Sequence, residues 1–100
     1  MGRLGPQGAN EMLRDTAYAT EIVTASITLG DGSEARLERI HVKTEEHEEI
    51  RFSWWKNGNI VMRPLDLSED DLINLFTEAV RRNVFTPQFI GNLRDTITDI

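Results

Sequence analysis

Cysteine is missing from all 100 residues, which removes disulfides, thiolate-held metals and thiol nucleophiles together. Long apolar runs are missing as well. No stretch approaches the ~20 apolar residues of a membrane span, and the start, Met1-Gly2-Arg3-Leu4-Gly5-Pro6-Gln7-Gly8, has no signal-peptide centre. The expectation is a cytoplasmic protein. Positive charge is scarce: 11 Lys and Arg stand against 17 Asp and Glu, for a net charge of −6. General duplex binding relies on a broad basic face, so this balance argues against it while leaving room for a local basic patch. Catalytic signatures are lacking too. There is no G-x-S-x-G, no glycine-rich phosphate loop and no H-E-x-x-H. Ser26, Ser33, Ser53 and Ser68 all have strand, turn or cap explanations, so no catalytic residue, cofactor or small-molecule substrate is expected.

What is present is one domain's worth of chain. Residues 1–15 gather Gly2, Gly5, Gly8 and Pro6 and read as a flexible arm, with residues 16–100 as a single α+β domain. From Tyr18 to Leu29 the pattern alternates. Val23, Ala25, Ile27 and Leu29 share one face; Thr20, Thr24, Ser26 and Thr28 share the other. Asp31-Gly32 supplies a turn, and a two-residue loop there would set Val23 opposite Ile40. In the return strand Leu37 and Ile40 are out of phase, which predicts a bulge or twist near Glu38-Arg39. Glu45, Glu46, His47, Glu48 and Glu49 then form a solvated connection or a strand edge that resists pairing. His41 and His47 beside these carboxylates make a histidine–acid cluster, but consecutive extended residues cannot all converge on one ion, and no metal site is expected.

The organising stretch is residues 50–63, which hold both tryptophans next to Asn57-Gly58. That dipeptide is the strongest hairpin signal in the chain. Alternation puts Ile50, Phe52 and Trp54 on one face and Arg51, Ser53 and Trp55 on the other. A two-residue loop pairs Trp55 with Ile60; a three-residue loop pairs Trp55 with Val61 and Trp54 with Met62. Pro64 ends the strand. Ser68, with Asp71 three residues on, caps a helix whose apolar stripe is Leu72, Leu75, Phe76, Ala79 and Val80, stopped at Asn83. Thr86-Pro87 opens a second helix with Phe89, Ile90, Leu93 and Ile97 on one side. The expected fold is a four-stranded antiparallel meander of two successive hairpins, followed by two C-terminal helices packed on one face.

One tryptophan of the pair goes to the core, and this periodicity assigns that place to Trp54. Trp55 is then left on an open sheet face with Arg51, Ser53, Ile60 and Arg63, the candidate binding residues. Tryptophan and arginine are the residues most enriched at binding hot spots. The expectation is a small non-enzymatic protein-binding module, an adaptor or inhibitor of the kind a phage or other mobile element encodes, acting on a protein partner or by self-association as a homodimer. The alternative is single-stranded nucleic acid stacked on Trp55. Residues 51–80 resemble, in element order, the PC4-like single-stranded DNA-binding domains, which run through four antiparallel strands into a long helix and dimerise. The likeness rests on Lys56-Asn57-Gly58, Arg63 and the step Leu65-Asp66-Leu67-Ser68 into Leu72 and Phe76, about a third of the chain. The acidic balance, the second helix and the scarcity of lysine depart from that pattern.

Overall fold

A computed structural model describes residues 13–100. Four antiparallel strands, β1 (Ala19–Thr28), β2 (Glu34–Val42), β3 (His47–Lys56) and β4 (Asn59–Ile60), lie in the order β1-β2-β3-β4, and two helices follow, α1 (Glu69–Arg81) and α2 (Pro87–Asp99). The meander and the α+β class are those the residue pattern calls for. Residues 1–12 of the expected arm lie outside the described residues. Arg14 and Asp15, also assigned to that arm, are tied to the sheet. The Glu21 backbone N–H donates to the Arg14 carbonyl at 2.8 Å, and the Lys43 ammonium meets the Asp15 carboxylate at 2.8 Å.

At Asn57-Gly58 the tight loop is realised. Trp55 pairs with Ile60 and Lys56 with Asn59, and Asn57 and Gly58 take φ of 51° and 80°, which is the two-residue alternative. The first hairpin is wider than a two-residue turn. Thr28 pairs with Glu34, leaving residues 29–33 as the loop, and Asp31 organises it by accepting from the Ser33 backbone N–H at 2.9 Å. This shifts the register, so Val23 lies opposite Arg39 and Ile40 lies opposite Glu21. The irregularity falls on the other strand from the one expected: the register slips between Glu21 and Val23, with Ile22 as the extra residue, while β2 runs regularly. Between β2 and β3, residues 43–46 form the turn, with Glu46 at φ 56°, and His47, Glu48 and Glu49 belong to the strand.

The bulge leaves two distinct sheet faces. Ala25, Ala35 and Leu37 face α1 and the turn after it and pack with Leu75, Ala79, Val84 and Phe85, all buried. The opposite face carries Thr24, Ser26, Glu38, Arg51, Ser53 and Trp55. Ser68 caps α1 by accepting from the Asp71 backbone N–H at 3.1 Å, and Thr86 caps α2 by accepting from Phe89 at 3.1 Å. Asn83, at φ 62°, ends α1, and Val84 N–H returns to the Ala79 carbonyl at 3.0 Å. The apolar stripes are thinner in the fold than in the pattern. Leu72 and Val80 are exposed, and α2 buries none of its residues completely.

Candidate binding cleft

β3 has ten residues, yet β4 pairs with it only at Trp55 and Lys56, and Val61 N–H adds one bond to the Trp54 carbonyl at 2.8 Å. Beyond Trp54 no strand pairs with that side of β3 among the described residues. Main-chain groups alternate between the two sides of a strand, so the Trp54 carbonyl, aimed outward, implies that Phe52 and Ile50 aim their N–H and C=O outward too. Arg51, Ser53 and Trp55 direct theirs to β2, opposite Glu38, Arg36 and Glu34. The open edge is apolar at this point: Phe52 is 52% exposed and Ile50 39%.

Alongside lies a cleft of about 420 Å³, lined by Arg14, Arg51, Phe52, Ser53, Trp54, Ile60, Val61, Met62, Arg63, Pro64 and Leu65. Four of the five residues singled out in the sequence, Arg51, Ser53, Ile60 and Arg63, meet here. Trp55 does not line the cleft, and its role is the reverse of the expected one. It is 9% exposed, the more buried of the two tryptophans, whereas Trp54 is half-buried and forms part of the wall. The physical reason is a cover of arginine. The guanidinium carbons of Arg36 and Arg14 stand 4.1 and 4.9 Å from the Trp55 ring centroid, closing a face that alternation alone leaves to solvent. Trp55 also donates its indole N–H to Ser53 Oγ at 2.8 Å, which holds Ser53 in place and leaves that hydroxyl's own proton to donate elsewhere. Trp54 donates to Ser33 Oγ at 3.0 Å, with Lys56 and Arg63 over its ring at 4.6 and 5.3 Å.

Behind the cleft is a buried charge network that pattern reading missed. Arg51 Nε donates to Glu38 Oε1 at 2.8 Å and its Nη2 to Glu21 Oε2 at 3.2 Å; Arg14 N–H donates to Glu21 Oε1 at 3.0 Å. Glu38 is fully buried, and its second oxygen has no partner as a carboxylate. Burial, and then the hydrogen bond and charge of Glu21, push the Glu38 carboxyl above its ordinary range despite Arg51. Burial alone would raise Glu21 also. The hydrogen-bonding influence of Glu38, the Arg14 backbone N–H and the charges of Arg14 and Arg51 outweigh it and bring Glu21 below its ordinary range. Alternation alone groups Glu21 with Val23 and Ala25, away from Arg51, and only the bulge at Ile22 brings it onto the face of Glu38 and Arg51.

The histidine–acid cluster takes a simpler form. Glu45, His47 and Glu49 come within 4.8 Å of one another and are exposed. His47 Nε2 lies 2.7 Å from Glu49 and Nδ1 lies 3.5 Å from Glu45, so both ring nitrogens are occupied by carboxylates. The hydrogen bond to Glu49 raises the His47 pKa, which favours the imidazolium over a metal-binding neutral ring. No helix among the described residues is long and apolar enough to cross a membrane. Compared with family models, with curated proteins and with solved structures, the chain shows no match.

Proposed function

We propose that this protein is a non-enzymatic protein-binding module that takes up an extended segment of its partner along the free edge of β3, with the adjoining cleft receiving side chains. The observation that carries the reading is the mismatch in strand length: ten residues in β3 against two in β4, with exposed Phe52 and Ile50 on the uncovered part. Natural sheets blunt such edges with charge, proline or a covering element. Here Glu48 and Glu49 blunt one end while Ile50, Phe52 and the cleft are left uncovered by the described residues. Main-chain pairing would supply affinity, and alternate pockets on either side of the edge would supply selectivity. Trp55 acts in this reading as a positioning residue, holding Ser53 and stacking under Arg14.

The test is affinity capture with wild type and Phe52→Lys, each first shown to be folded. A partner retained by wild type and lost by the variant, and which slows amide exchange at Ile50 and Phe52, is the expected result. Capture unaffected by the variant, with new protection confined to α2, would overturn it.

A second reading follows from Trp54, which has Lys56 and Arg63 over its ring beside Arg51. An aromatic with adjacent cations can hold a base of single-stranded nucleic acid. Salt separates the two readings. Nucleic-acid affinity falls steeply as salt rises, whereas strand pairing with apolar side chains changes little.

A further inference from the structure

Among the described residues the cleft lining contains three arginines and no carboxylate, on a protein whose net charge is −6. Two of them are partly engaged: Arg51 with Glu38 and Glu21, Arg14 with Glu21. Arg63 stacks on Trp54 and has no carboxylate partner among the described residues. Ser53, 7% exposed, lines the same cleft with a hydroxyl proton free to donate. We infer that the partner segment carries an acidic side chain flanked by apolar ones, its carboxylate drawn to Arg51 and the Ser53 hydroxyl in the positive field that Arg63 adds to the same cleft, and its apolar neighbours against Phe52 and Trp54.

This rests on the edge-pairing reading and adds the chemistry of the partner. A strand laid along β3 sends successive side chains to opposite sides of the sheet. One set meets Arg51 and Ser53; the other meets Phe52 and Trp54. Alternation of acidic with apolar residues is therefore what the site selects. Burial and the neighbouring Glu21 raise the Glu38 carboxyl above its ordinary range, which weakens its hold on Arg51. Glu49 lies two residues before Arg51 on the same sheet face, so a second acid placed there is repelled and the charge pattern fixes register. The protein's overall negative charge disfavours a polyanion, which sets a short acidic motif ahead of nucleic acid.

The experiment is a nuclear magnetic resonance titration, to millimolar ligand, of the whole protein with three capped peptides. Each has one central residue, glutamate, glutamine or lysine, flanked by valines; oligo-dT is the fourth ligand. Shifts at Ile50 and Phe52, with the glutamate peptide roughly tenfold tighter than the lysine peptide, are the expected result, and Arg63→Gln, an exposed substitution, should erase most of that difference. Equal affinity for all three peptides at the same residues would leave edge pairing standing and overturn the acidic preference. Peptides without effect, with oligo-dT shifting Trp54 and Arg63, would overturn both in favour of nucleic acid. No shift on β3 from any ligand would overturn both outright.

Discussion

Two adjacent tryptophans divide the work in a way their spacing does not disclose. Period-two alternation separates Trp54 from Trp55 correctly, but which face is covered depends on distant arginines. Trp55 lies beneath Arg14 and Arg36 and is the more buried. Trp55→Ala is therefore expected to cost ~3–5 kcal/mol, as a core truncation. Trp54→Ala, half-exposed and losing its bond to Ser33, should cost about 1–2 kcal/mol. Urea denaturation of the two variants measures both, and equal losses would show that the cover over Trp55 contributes nothing. A second residue-scale expectation concerns Glu38. Its folded pKa is raised, so the stability it contributes is present below the ordinary glutamate value and is lost as pH rises through the folded value. Glu38→Gln mimics the protonated form and keeps an acceptor for Arg51. Melting temperature measured against pH should fall less for this variant than for wild type on the alkaline side of the ordinary carboxylate range; parallel curves would mean that Glu38 is ionised in the fold.

Among the elements, those governed by local chemistry were legible in advance and those governed by long-range register were not. Asn57-Gly58, the Ser68 and Thr86 caps and the Asn83 stop are local signals, each realised at its own position. The loop after β1 and the bulge at Ile22 answer to the whole β1–β2 pairing, which brings Glu21 to the buried face, and no window of sequence contains that demand. The candidate site was legible in part for the same reason. Arg51, Ser53, Ile60 and Arg63 were reached through the hairpin, but the cleft arises because β4 is short and residues 61–65 continue as its wall without forming a strand, a matter of length rather than pattern. Two expectations belong at this scale. Asn83 holds φ 62°, so Asn83→Gly should stabilise by ~0.5–1 kcal/mol and Asn83→Val should destabilise by ~1–2 kcal/mol in thermal melts. With no fully buried residue, α2 should also exchange its amides well ahead of α1, whose Leu75 and Ala79 are buried. Equal protection of the two helices would contradict that ranking.

For the whole molecule, charge and shape point to the same place. Carboxylates outnumber basic groups along the chain, yet among the described residues the cleft lining holds arginine and no acid, and it adjoins the length of sheet edge that they leave unpaired. α1 covers the β1–β2 part of one sheet face and a buried ion network occupies the other, which leaves the edge of β3 as the open approach to the main chain among the described residues. The most direct test of this account is residue-resolved amide exchange along β3, in the free protein and then with the glutamate peptide. Free Ile50 and Phe52 should exchange quickly while Arg51 and Ser53, bonded to β2, exchange slowly, and the peptide should slow Ile50 and Phe52 alone. Uniformly slow exchange along the free strand, or peptide protection that bypasses Ile50 and Phe52, would contradict the claim that β3 is an open edge built to receive a partner strand.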